Sequence, residues 1–275
     1  MLFSGTSAPD LASNIAKYLG IKLGNIKISK FPSGETYSRI IDNVRGKSVF
    51  LVQTTTQAVN EEFMELLIVV DAMKRASARS ITAVIPHMPY ARQERKAASR
   101  EPISAKLIAD LLTTAGVNRV ITIDLHSDQI QGFFNFPVDT LTSMPLFANY
   151  IKSKGIENPV IVAPDTGRAK TSKKLADRIG ASLAILHKQR PEHSKTEITH
   201  VVGDVKGKTV IIVDDMIDTA GTATNGIKTL LEMGANKDVY LMAAHAIFSS
   251  PAVERLKNAG LKEVVVTDSI PIPKE

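Results

Sequence analysis

The stretch TVIIVDDMIDTAGT, residues 209–222, governs how the rest of the chain reads. Thr209 to Val213 is a short apolar run that reads as a buried strand. Two acids follow at its end, Asp214 and Asp215, and then Met216, Ile217, Asp218, Thr219, Ala220, Gly221 and Thr222. Gly221 opens a helical pattern that runs to Met233 and is closed by Gly234. In parallel α/β sheets ligands bind outside the carboxyl ends of the strands, so chemistry is expected at this junction. A helix start offers backbone N–H groups and partial positive charge to a phosphate. Thr219 and Thr222 add hydroxyl donors, and Gly221 lets the backbone come close. The carboxylates suit sugar hydroxyls or Mg²⁺. A merely capped helix, with Asp218 or Thr219 as N-cap, explains one polar residue but not three acids.

Outward from this point the same rhythm recurs. Val239 to Ala243 completes a strand–helix–strand unit, and 48–85 resembles it in order and length: strand Ser48 to Val52, helix Glu61 to Arg75, strand Ile81 to Ile85. Between the two lie a helix over Pro102 to Ala115 stopped by Gly116, and strands Val120 to Ile123 and Val160 to Val162. A helix over Arg168 to Ile179 stopped by Gly180 and a strand Ser182 to Leu186 follow. A helix over Val253 to Asn258 and a strand Val264 to Thr267 come last. Strands alternating with helices predict an α/β protein with mostly parallel sheets flanked by helices. The pattern divides into two similar domains, 1–142 and 143–275, with the join near Thr140 to Pro145. One long polar connection, Gln189 to Gly207, contains a possible strand. Its start, Lys188 to Lys195, is too charged for a core and reads either as a solvated loop or as a mobile basic lid.

Composition narrows the classes. With 275 residues, 44% hydrophobic and 23% charged, the chain can bury two medium cores unaided. Cysteine is absent, which excludes disulfides, thiolate metal sites and a cysteine nucleophile and fits a reducing cytoplasm. The net charge of +6 suits anionic partners. Tryptophan is absent and aromatics are only 5%, so base-stacking platforms are sparse and no nucleic-acid signature appears. No apolar run approaches the roughly 20 residues of a membrane span, and no signal peptide is expected.

Other strand ends carry polar residues too. Asp124, Leu125, His126, Ser127 and Asp128 follow Val120 to Ile123, where His126 reads as a metal ligand, a base or a structural residue. Pro164, Asp165, Thr166, Gly167 and Arg168 again place an acid and a glycine turn before a helix. Pro86 and Pro89 stiffen a loop from which Arg92, Arg95 and Lys96 project. The P-loop, the dinucleotide fingerprint, the zincin motif and the nucleophile elbow are all absent. Chemistry alone therefore points to a Mg²⁺-using protein with at least two phosphate cradles.

Several motifs together resemble one family. VDDMIDTAGT at 213–222 is similar to the phosphoribosyl-pyrophosphate motif of type I phosphoribosyltransferase folds. DLHSDQIQGFF at 124–134, PYARQERK at 89–96, REPISAKL at 100–107 and KFPSGETYSRI at 30–40 narrow the resemblance to ribose-phosphate pyrophosphokinases. It extends from LFSGTS at 2–7 to VVVTDSIP at 264–271. The resemblance implies two phosphoribosyltransferase-type domains and transfer of the pyrophosphoryl group of ATP to the 1-hydroxyl of ribose 5-phosphate, with Mg²⁺, for nucleotide biosynthesis. It implies that Asp214 and Asp218, Thr219, Ala220, Gly221 and Thr222, with Arg190, hold ribose 5-phosphate. His126 and Asp165 would bind metal. Phe31, Ser33, Gly34, Glu35, Arg92 and Gln93 would bind ATP, and Lys188 and Arg190 would be catalytic. A homo-oligomer is implied, because the loop around Phe31 reaches a neighbouring subunit's site in relatives.

Two departures stand out. The family's Lys-Arg-Arg is Lys188-Gln189-Arg190 here, and its glycine pair after Pro-Asp is reduced to Thr166-Gly167-Arg168. The length resembles shorter, archaeal-type members. A phosphoribosyltransferase would share 213–222 but has no reason to carry PYARQ or DLHSDQIQGFF. A non-catalytic associated subunit would tend to lose Lys188, His126 or Asp165, all of which are present.

Overall fold

The computed structural model of the protein describes residues 1–192 and 195–272, and the side chains of 188–199 lie outside the described ones. Two units emerge, one of Met1–Leu141 with Asp268–Glu275 and one of Thr142–Thr267.

The first unit is built on β1 (Leu2–Ser4), β4 (Ser48–Val52), β5 (Ser80–Val84), β6 (Arg119–Ile123) and β7 (Val138–Leu141). These lie side by side in that order, every pair parallel. Helices α1 (Pro9–Leu19), α2 (Val59–Arg75) and α3 (Ser104–Ala115) link them, and β2 (Ile26–Lys30) and β3 (Thr36–Ile40) form a separate antiparallel hairpin. The central strands are largely apolar because helices cover both faces of a parallel sheet. Val49, Leu51, Ile81, Ala83 and Val120 are buried, with Phe63, Leu66, Val70 and Met73 of α2 packed in the same core. Helix α3 starts at Ser104, two residues after the expected Pro102, and ends on Gly116 in the left-handed conformation at φ 116°.

The strand ends of this unit are fastened by a buried carboxylate. Glu65 of α2 accepts from the Thr6 amide at 2.8 Å, the Thr6 hydroxyl at 2.7 Å and Gln53 Nε2 at 2.9 Å. Gln53 Oε1 in turn accepts from the Ser7 amide and hydroxyl. Gly5 makes room for this, since a Cβ there would stand 2.1 Å from Gln53 Oε1. Glu65→Leu strands three donors beside an apolar side chain. It is expected to lower stability by about 2–3 kcal/mol, read as a shift of the urea midpoint; an unchanged midpoint would refute the role of this network.

The second unit has β8 (Pro159–Ala163), β9 (Ser182–Glu192), β10 (Lys195–Val202), β11 (Thr209–Ile217), β12 (Tyr240–Ala246) and β13 (Glu263–Val266). Their order is β10-β9-β8-β11-β12-β13, parallel except for the antiparallel β9–β10 pair. Helices α4 (Met144–Ser153), α5 (Ala169–Ile179), α6 (Gly221–Glu232) and α7 (Ala252–Asn258) cover it. Alternation along the strands divides the core: Val160, Val162, Val210 and Ile212 face one side, Ile161 and Ile211 the other.

Three expectations change. Among the described residues, the basic stretch Lys188–Glu192 is not a loop, because β9 continues past Leu186 to Glu192 and pairs with β10, Lys188 lying opposite Ile198. β11 does not end at Val213. Its ladder with β12 runs on through Asp214 opposite Ala243 to Ile217 opposite Ala246, so both acids lie within the strand. The second domain does not run to 275. From Asp268 the chain belongs with the first unit, where the Thr54 hydroxyl donates to the Ser269 carbonyl at 2.7 Å and Ser269 and Ile270 are buried.

Candidate active site

In the second unit the site is built on the adjacent ends of β8 and β11. Asp214 and Asp215 are successive residues of β11, and their carboxyl groups lie close enough to interact. Asp215 is buried, with 3% of its side chain exposed, whereas Asp214 keeps 27%. Beyond Ile217 the chain turns through Asp218, Thr219 and Ala220 into α6. Ala220 is the N-cap and lies in the left-handed region at φ 59°, and its methyl group brings no capping oxygen. The first-turn amides of α6 are therefore open to an anion, as the glycine-bearing sequence suggested.

At the end of β8, Asp165 caps the short turn Thr166–Arg168 by accepting from the Arg168 amide at 3.2 Å. Arg168 then reaches back to β11. One of its terminal nitrogens pairs with Asp215, and its Nε lies 3.7 Å from Asp214 Oδ1. Desolvation, and next the charge of Asp215, hold the Asp214 carboxyl well above the usual carboxylate range, and Arg168 opposes both. The sequence places Arg168 only at the start of a helix. Its signal was present in the cation three residues after Asp165, but the partner is visible only once β8 and β11 are neighbours.

In the first unit, His126 is exposed just beyond β6, on a turn whose first residue, Asp124, has φ 40° and whose following 3₁₀ turn is anchored by buried Ile130. Arg92 and Gln93 follow the neighbouring β5. The Gln93 amide bonds to the Tyr90 carbonyl at 3.0 Å, and its side-chain Oε1 accepts from the Ser104 hydroxyl at 2.6 Å, fixing the loop to the start of α3. Phe31 to Glu35 cap the separate β2–β3 hairpin. Phe31 and Glu35 are joined by a 2.8 Å backbone bond, Ser33 donates to Glu35 at 2.8 Å, and Gly34 takes φ 93°. Phe31 is 52% exposed and meets Tyr37 edge-on at 5.8 Å, leaving a ring face for a flat ligand. The side chains of Lys188 and Arg190 lie outside the described residues.

Among the described residues, no three histidine, aspartate or glutamate side chains converge. Mg²⁺ taken up with phosphates needs only one or two side-chain ligands, the remainder being water and phosphate oxygen. The oxygen of Asp165 and the imidazole of His126 suit that limited role.

Known proteins resemble this chain along its whole length. Residues 1–116 match the family model for the N-terminal domain of ribose phosphate pyrophosphokinase, and 189–275 that of the phosphoribosyl synthetase-associated domain. A ribose-phosphate pyrophosphokinase of Fusobacterium nucleatum is 51% identical over 275 residues, 99% of this chain and 87% of that protein. The chain belongs to the ribose-phosphate pyrophosphokinase family. A member from Bacillus caldolyticus is also 51% identical, over 100% of this chain and 87% of its own length. The crystal structure of phosphoribosylpyrophosphate synthetase from Mycobacterium smegmatis superimposes with a TM-score of 0.93 at 45% identity, covering 100% of this chain and 90% of that one. The shared fold carries the phosphoribosyltransferase-type architecture expected of both units.

Proposed function

We propose that this protein transfers the pyrophosphoryl group of ATP to the 1-hydroxyl of ribose 5-phosphate, giving phosphoribosyl pyrophosphate and AMP for nucleotide biosynthesis. The observation that carries the reading is the 51% identity to a ribose-phosphate pyrophosphokinase along the whole chain. In the reaction the 1-hydroxyl oxygen bonds to the β-phosphorus, and the bond from that phosphorus to the α,β-bridging oxygen breaks. The electron pair leaves with AMP, and the hydroxyl proton passes to solvent.

Asp218 to Thr222 receive the 5-phosphate through first-turn amides and threonine hydroxyls, and Asp214 accepts from a ribose hydroxyl. Arg92 and Gln93 bind the ATP phosphates, and Phe31 stacks on adenine beside Ser33, Gly34 and Glu35. His126 and Asp165 are the ligands offered to Mg²⁺, which supplies charge neutralisation on the phosphates when bound. Lys188 and Arg190 stabilise the transferred group, and Arg190 also reaches ribose 5-phosphate. The exposed Phe31 hairpin supports a homo-oligomer in which a neighbouring copy completes the ATP site. The absence of cysteine favours the cytoplasm, and among the described residues no helix is long and apolar enough to cross a membrane. Incubation with ATP, Mg²⁺ and ribose 5-phosphate is expected to yield AMP and phosphoribosyl pyrophosphate in equal amounts. No AMP, with phosphoribosyl pyrophosphate instead consumed alongside a nucleobase, would mark a phosphoribosyltransferase.

A further inference from the structure

The turn that opens α6 is held from outside by a residue of another helix. Arg255 lies on α7, which is seated in the core by buried Ala252 and Leu256. Its Nη1 donates to the Thr219 carbonyl at 3.0 Å. The same nitrogen lies so close to Gly221 that a Cβ built there would stand 3.3 Å from it. The guanidinium thus abuts both neighbours of Ala220, the one residue of the turn in the left-handed region, which an alanine adopts only under constraint.

Peptide geometry turns this contact into a statement about the site. In a trans peptide the carbonyl and the following N–H point in opposite directions. Fixing the Thr219 carbonyl toward α7 therefore fixes the Ala220 N–H on the side away from α7. We propose that Arg255 is a positioning residue for ribose 5-phosphate, clamping the Thr219–Ala220 peptide so that the turn's amides are preorganised for the 5-phosphate. The proposal rests on the reading of 218–222 as the ribose 5-phosphate site. The clamp is exposed to solvent, so it adds little to global stability and its effect falls on binding. Lysine can donate one bond to a carbonyl but lacks the planar guanidinium that here lies against Gly221 as well.

The test uses the full chain with Arg255→Ala, Arg255→Lys and, as a control on the same helix, Glu254→Gln. Arg255→Ala is expected to raise the KM for ribose 5-phosphate about tenfold, with kcat and the KM for ATP within about twofold. Its melting temperature is expected to match the parent's. Arg255→Lys recovers part of the affinity, and Glu254→Gln leaves it unchanged. An unaltered KM for ribose 5-phosphate in Arg255→Ala overturns the clamp. So does a loss shared equally by both substrates and the melting temperature, which would mark general damage to α7. Calorimetric titration with ribose 5-phosphate alone reads the clamp without turnover, so a parent protein that binds the sugar but makes no AMP refutes the proposed reaction and not the clamp.

Discussion

Lys188→Ala is expected to lower turnover by about 10²–10³-fold while the affinity for ATP changes by no more than a few-fold. Pyrophosphoryl transfer asks little covalent chemistry of the protein and much charge neutralisation and alignment. A cation that meets the transferred group mainly in the transition state reduces kcat when lost, not ground-state binding. The backbone suits that task. β9 pairs with β8 only as far as Ile185, and beyond buried Leu186 it continues with β10 as a two-stranded extension carrying Lys188. Equilibrium binding of ATP and single-turnover AMP formation separate the two effects. A variant with parental single-turnover rate would remove Lys188 from the chemistry.

The largest stability effect is expected at Arg168. Arg168→Met removes the cation between Asp214 and Asp215 and leaves a buried carboxylate without its ion-pair partner, with an expected loss of about 3–5 kcal/mol at neutral pH. The deficit depends on pH, and its sign follows from Asp214. That carboxyl already titrates above its ordinary range, driven by desolvation and Asp215 and opposed by Arg168. Without Arg168 its folded-state titration rises further. A carboxyl raised in the folded state stabilises the fold fully below its unfolded titration range and loses that contribution as pH rises through its folded one. The gap between parent and Arg168→Met is therefore expected to be small in acid and to widen toward neutrality. Urea melts at several pH values measure it. A gap that is constant, or that narrows with rising pH, would refute this account of the pair.

The contrast between these two residues marks what the sequence could reveal. The helices around Leu66, Leu112 and Ile227 and the β-branched strands between them are local patterns, legible one segment at a time. So was the phosphate-suited turn before α6, because residue types at a strand end declare it, although its N-cap is Ala220 rather than Asp218 or Thr219. Arg168 was not legible as a partner of Asp215, since that contact depends on β8 and β11 lying side by side although about 50 residues apart in sequence, as Val162 and Ile212 do in their shared ladder. The continuation of β11 past Val213 was hidden for a related reason: two acids read as a strand end until Met216 and Ile217 are seen to pair with β12. The proposed roles of Lys188 and Arg190 came from family resemblance, as their charge alone fits a solvated segment equally well.

The return of the chain at Asp268 has a consequence for biosynthesis. The second unit is an insertion between two parts of the first, so the first unit is begun earliest and finished last. Until Ser269 has been made, Thr54 lacks the carbonyl that accepts its hydroxyl. During synthesis the second unit can collapse around a contiguous stretch of chain, whereas the first must wait with part of its interior uncovered. A fragment ending at Leu141 is thus expected to be less stable than the whole unit, since it lacks the Ser269 carbonyl that Thr54 donates to.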